Sequence, residues 1–500
     1  MNRERRNTKW ALIICAIGLA ILLVGLWGWR QATKAHYERV KAELVAKGAK
    51  LTIEEQLPVV APTLSNGGEL FLTHAAGIAR PPEWWQHTCM ELVAPGKAMI
   101  VSKEEVLPFE LENGRWTNDL WKALPAIVEP SRGAWTLLKD AVTNEVIALD
   151  LPYGRHLNFD YSHLGSYRNL HMWLRLAVLL DLRRDTGLDA VDEVVAGVEL
   201  IAKYREPTLI SQMSRCVTLL VHVQTVWEAI HGRPWKEDEL ARLQGAIRGL
   251  RFAEDWEKAV AMERAWVLRC FEEAMAEGRG ELIPATSKMT AVEKLVVSLQ
   301  DGLLHGGPSD IGEAGREFGW WFAPGFADAA IYAGEAERWI GCVREAIRQR
   351  NYSVAMFVPR SVPNWYQLSV GFKAMRWAEQ RMVASETIRS VALAAVALER
   401  FRLLSHVYPR SLDALVPDLL TEVPVDWFDG KPLRYRREAD GSYWLWSIGS
   451  DGVDDGCKPA DAGEDWLKGA DLVWPQPGNA VEVESYLARQ RAKMLKASGR

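Results

Sequence analysis

A chain of 500 residues, 48% of them hydrophobic, has room for two to four domains of ~100 to 200 residues each and enough apolar side chain to build real cores, which excludes a disordered chain. With 60 Lys and Arg against 65 Asp and Glu, the formal net charge is −5. That excludes the broad basic field that draws proteins to nucleic-acid phosphates, and no nucleic-acid partner is expected.

The first element is the most distinct. After a short basic tail (residues 1–9, with Arg3, Arg5, Arg6 and Lys9), the run from Trp10 to Trp29 carries no charge. At ~1.5 Å rise per residue such a helix matches a hydrocarbon slab of ~30 Å. Trp10, Trp27 and Trp29 stand where interfacial aromatics belong. A cleavable signal peptide has a shorter apolar region and small residues at the cut, whereas this run ends in Trp-Gly-Trp-Arg. Residues 10–29 therefore predict an uncleaved transmembrane helix in a single-pass protein. The flanking positive charges nearly balance, with Arg30, Lys34, Arg39 and Lys41 on the far side. A short basic N-terminal tail usually stays in the cytoplasm, so the body is expected in the periplasm of a bacterium, tethered to the inner membrane.

Residues 30–57 predict a charged juxtamembrane helix with a thin apolar stripe of Tyr37, Val40, Leu44 and Leu51, a break at Gly48 and an end at Pro58. So narrow a stripe reads as a stalk that lifts the body off the membrane. Residues 58–165 are an irregular mixed region punctuated by Pro81-Pro82, Pro108, Pro125, Pro130 and Pro152, with a β-prone piece at Ala98 to Val101. From 166 to 350 the pattern is helical. Helices are expected at Tyr167–Arg184, Leu188–Tyr204, Thr208–Ile230, Trp235–Leu250 and Ala253–Ala276, separated by Gly187, Pro207 and Gly232-Arg233-Pro234. Short connections imply an irregular α-helical bundle or stacked hairpins. Residues 278–330 read as a long surface excursion and 351–377 as a linker. Overall the fold class is mainly α with a small C-terminal α+β domain at 378–475, followed by a basic helical tail at 476–500 bearing Arg489, Arg491, Lys493, Lys496 and Arg500.

Chemistry-bearing motifs are sparse. Gly278-Arg279-Gly280 is followed by Ile283 where a dinucleotide fingerprint needs glycine, and no phosphate-cradling loop occurs, so no nucleotide partner is expected. No G-x-S-x-G or H-E-x-x-H is present. His156, His163 and His171 are spaced by seven and eight residues, which fits no standard metal pattern, and His222, Glu228 and His231 along one helix read as structural. Cys15, Cys89, Cys216, Cys270, Cys342 and Cys457 include no C-x-x-C and are expected as free thiols, mostly buried. The 23 tryptophans, including the pairs Trp84-Trp85 and Trp320-Trp321, read first as bulky core packing, with stacking on sugar rings as the alternative.

The C-terminal third is more informative. A helix from Ala378 to His406 presents Ile388, Val391, Ala395, Leu398 and Phe401 on one face. A short helix at Ser411 to Val416 follows, then a hairpin of Leu433–Arg437 and Tyr443–Ile448. This order, with Tyr408-Pro409, Leu412, Leu415, Pro424, Asp426, Gly430, Pro432, Ser447, Gly449, Asp451 and Gly452, resembles the globular part of the major pseudopilin of type II secretion systems. The resemblance covers about 100 residues and implies a calcium site in the loop after the strands. Asp451, Asp465 and Asp471 are the ligands it implies, from a loop that also offers Asp454, Asp455 and Asp461; Asp-Gly turns with solvated charges are the alternative. The chain departs from that family at its start, where no short leader ending in Gly precedes Trp10, so assembly into a fibre is not implied. As a whole the chain resembles large membrane-anchored proteins of planctomycete and verrucomicrobial bacteria. The expected role is structural, or interaction with protein partners in the cell envelope, rather than catalysis. The alternative is a periplasmic hydrolase or glycan-binding protein using a Trp-lined cleft in the helical domain.

Overall fold

Charge-free side chains followed by a mixed stripe give one unbroken helix in the computed structural model, which describes residues 2–81, 89–104, 109–111, 115–117, 120–153, 160–184, 187–278, 325–353, 356–362, 368 and 372–497. Helix α1 (Asn2–Ala46) contains the one helix segment among the described residues that is long and apolar enough to cross a membrane, and none of its apolar window is buried. The helix ends at Gly48, whose φ of 85° lets Ala49 N–H reach back to the Leu44 carbonyl at 3.0 Å. A short helix α2 (Ile53–Gln56) follows, capped reciprocally by Thr52 and Glu55.

Helices α3 (Gly68–Ala75), α4 (Leu120–Val128) and α5 (Arg132–Val142) flank two small hairpins, β1 (Glu91–Ala94) with β2 (Lys97–Met99) and β3 (Phe109–Leu111) with β4 (Arg115–Thr117). The helical body is α6 (Ser162–Arg183), α7 (Gly187–Lys203), α8 (Leu209–Gly232), α9 (Glu237–Arg248) and α10 (Phe252–Ala276). These are the five helices that periodicity predicts, shifted by a few residues at their ends. Their starts have local causes. The Thr208 hydroxyl accepts the Ser211 N–H at the head of α8, and Glu237, Asp238 and Glu239 fill the first turn of α9. Helix α11 (Gly325–Gln349) packs antiparallel on α10, with Arg344 bonded to Glu257 at one end and Phe271 facing Phe326 at the other.

Long helix α12 (Phe372–Ser405) buries the expected Ile388, Val391, Ala395 and Leu398, and also Ala392, Ala394, Val396 and Ala397 on its other sides. It is enclosed by α8, α9 and α10, so the C-terminal segment from residue 378 and the helical body share one hydrophobic core rather than forming separate units. The expected hairpin forms as β5 (Arg434–Arg437) and β6 (Tyr443–Ser447), with Tyr435 opposite Leu445, and β7 (Leu472–Val473) adds a third antiparallel strand. Strand β8 (Gln476–Pro477) runs parallel to β2, tying the C-terminus to the N-terminal hairpin.

Two expectations are corrected. The segment after the apolar run is not a free stalk, because Tyr37 and Leu44 are buried and α1 packs along α11. The Tyr37 ring meets Phe271 at 5.4 Å and Phe326 at 6.0 Å, and its hydroxyl donates to Glu272 at 2.8 Å. Aromatic contacts of this kind contribute about 0.5–1.5 kcal/mol each beyond area burial. The final helix α13 (Ala480–Ala497), whose basic residues predict a tail in solvent with contact to anionic lipid as the alternative, packs on the body. Val483, Tyr486 and Leu487, at helical spacing, are buried in a second core, and Tyr486 donates to Glu91 at 2.6 Å.

Candidate functional site

The loop after β6 turns on glycines at positive φ, Gly449, Gly452 and Gly456, and brings its acidic residues into several separate roles. Asp471 is buried, and its carboxylate accepts backbone N–H bonds from Lys458 at 2.7 Å and from Asp455 at 3.4 Å. Burial pushes its pKa up against the pull of those donors. Asp451 accepts from Val453 N–H at 3.1 Å, and Asp465 caps the following turn by accepting from Leu467 N–H at 3.1 Å. Asp454 accepts from the Trp446 indole and from Gly456 N–H, each at 3.1 Å. A calcium cage needs ~6 to 8 converging oxygens. Here the carboxylates face N–H donors instead, and among the described residues no group of three or more His, Cys, Asp or Glu is placed to hold a metal ion. Asp451, Asp465 and Asp471 thus each accept a backbone N–H of their own loop. What holds the module together is Asp426, which is buried and accepts from Ile448 N–H at 2.9 Å, Phe428 N–H at 3.1 Å and Arg434 at 2.9 Å. The sequence marks Asp426 only as a motif position.

The histidines divide similarly. His156 lies outside the described residues. His163 bonds Glu206 at 2.8 Å, inside a buried network where Glu206 also accepts from Tyr204 at 2.8 Å and Thr208 at 3.2 Å. The His171 ring stands edge-on to that of His222 at 5.6 Å. His222 faces the Val194 carbonyl through Nε2 at 2.8 Å, so that nitrogen carries the proton, and burial pushes the ring's pKa down to about 4. Neither histidine pair has a third ligand beside it among the described residues.

Trp173, Trp227, Trp235, Trp256, Trp266 and Trp339 in the helical domain are all buried, so packing accounts for them. Trp84-Trp85 and Trp320-Trp321 lie outside the described residues. Of the cysteines, Cys89, Cys216 and Cys270 are buried free thiols, and burial pushes Cys216 up to about 11.

A cleft of about 430 Å³ opens where the C-terminal end of α8 meets α12 and β8. Its lining includes Lys103, His231, Arg233, Glu399, Arg402 and Tyr408. Glu399 accepts from Tyr408 at 2.6 Å and from Arg402 at 2.8 Å, while Arg233 is held by Glu239 at 3.1 Å. Burial, with Lys103 and Arg402 nearby, pushes His231 down to about 3, so it is neutral at physiological pH. Glu399, Arg402 and Arg233 of the lining are held in ion pairs, while the buried His231 Nε2 has no hydrogen-bond partner among the described residues. No family model, no curated protein and no solved structure matches the chain.

Proposed function

We propose that this is a single-pass, membrane-anchored envelope protein with a structural or protein-interaction role, its N-terminus cytoplasmic and its body in the bacterial periplasm. The observation that carries the reading is α1 itself. Exposed apolar side chains from Ile13 to Trp29 continue, without a break in the helix, into Tyr37 and Leu44 in the main core. A helix apolar on all sides where it leaves the body gains free energy only by entering lipid. The pseudopilin-like module is the candidate interaction surface, supported by the order of helix, turn, hairpin and Asp-Gly loop. The bracing of that loop by Asp426 and Asp471 suits a fixed docking face.

Crosslinking in the native membrane, with identification of the attached neighbours, tests the interaction role. Carbonate extraction and protease treatment of spheroplasts test the topology. A chain that leaves the membrane in carbonate, or a body protected from protease until the inner membrane is broken, sinks the respective part.

A further inference from the structure

The three rings of Tyr37, Phe271 and Phe326 form a triangle with centroids 5.3 to 6.0 Å apart. Directly on the membrane side of it, Arg30 lies over the Phe326 ring at 5.1 Å and contacts the Met275 sulfur at 4.0 Å, while Lys34 lies over the same ring at 5.9 Å. Farther along, Lys41 pairs with Glu272 at 2.5 Å, and past the end of α1 Arg264 donates to the Lys50 carbonyl at 3.0 Å. Contacts thus descend α10 as they ascend α1, so α10 runs antiparallel to α1. Its last turn, and the first turn of α11, lie at the level of Arg30.

Arg30 is the first residue after the uncharged run. A bilayer's headgroup layer is ~5 to 8 Å deep on each side of its hydrocarbon core. From Arg30 to Lys34 α1 rises ~6 Å, which fills that layer. Met275 and Phe326 are therefore at headgroup depth whenever Trp29 is at the hydrocarbon boundary.

We propose that the end of the body formed by the C-terminus of α10 and the N-terminus of α11 is seated in the lipid headgroup layer, with no gap between body and membrane. The inference rests on the membrane-anchor reading above. Charge does not drive the seating, because exposed Glu272, Glu273 and Glu277 at this end offset Arg30, Lys34 and Lys41. The docking of α1 sets it.

The test uses the full chain with Cys15, Cys342 and Cys457 replaced by Ser, reconstituted in phosphatidylcholine vesicles and labelled with an environment-sensitive fluorophore at one added cysteine. Ala276→Cys places it on the last, exposed residue of α10, and Glu254→Cys places it ~33 Å away along the same helix. Leu22→Cys places it in the apolar run. Lipid carrying a nitroxide on its headgroup is expected to quench the label at 276 several-fold more than the label at 254, while lipid with the nitroxide on its acyl chain quenches the label at 22. Equal, weak quenching at 276 and 254 with position 22 still quenched overturns the seating and leaves the anchor standing. An unquenched label at 22 overturns the anchor reading itself.

Discussion

The carboxylate of Glu228 accepts two hydrogen bonds from Ser102, one from its backbone N–H and one from its hydroxyl, both at 2.8 Å, and a third from Val101 N–H at 3.2 Å. Glu228 sits buried in α8, and Ser102 lies in the turn after the β1–β2 hairpin, so this contact fastens the N-terminal hairpin to the helical body. Glu228→Ala strands three buried donors and is expected to cost about 2 to 5 kcal/mol, whereas Ser102→Ala, which keeps both backbone bonds, costs about 1. Thermal melts of the detergent-solubilised chain give the ranking; equal losses would mean that the backbone bonds carry nothing.

Asp471→Ala removes the acceptor that closes the loop between Asp455 and Lys458, leaving two half-buried N–H groups without their carboxylate at an expected loss of about 1 kcal/mol. The loss should be the same with chelator as with millimolar calcium. A melting temperature that rises with calcium in the parent chain and not in Asp451→Ala would support the ligand reading instead.

Gly197 lies in α7 where a Cβ would sit 2.0 Å from the ring of His222. Alanine is the better helix former, yet Gly197→Ala is expected to destabilise by about 1 to 3 kcal/mol because the buried imidazole has nowhere to move. A paired His222→Ala background should recover much of that loss, and a double-mutant cycle reads the coupling.

Burial pushes the Glu263 carboxyl up to about 7. In the unfolded chain the same group titrates near ~4.3, so over the interval between them only the unfolded state ionises. Its contribution to stability is therefore full below that interval, falls as pH rises, and is lost above about 7, each unit of difference being worth about 1.4 kcal/mol. Glu263→Gln should narrow the gap between melting temperatures at about pH 5 and about pH 8. An unchanged gap would place the carboxyl in water.

Local signals and distant contacts were not equally readable from the residues. Thr208, Pro234 and the acidic turn at 237–239 announce helix starts through neighbours only a few positions away, which is why α6 to α10 follow from periodicity alone. The docking of α1 depends on Phe271 and Phe326, more than 230 positions from Tyr37, and four apolar residues in a stripe carry no trace of a partner so far along the chain. The docking of the C-terminal helix is hidden for the converse reason, its basic residues being more conspicuous than Val483, Tyr486 and Leu487. At the acidic loop, composition alone leaves Asp471 free to hold a cation or to gather N–H groups. The difference lies in whether the backbone turns its oxygens or its nitrogens inward, and glycines at positive φ permit either.

On the anchor reading proposed above, one helix is both membrane span and core element, and the lipid-embedded part works as a handle on the folded part. A sideways pull, tilt or twist of the span is passed as torque to the aromatic triangle of Tyr37, Phe271 and Phe326 instead of being absorbed by a hinge. For the same reason, trimming the chain to a soluble form has a natural starting point near residue 30. A cut beyond Gly48 would lay those phenylalanine rings bare and invite aggregation.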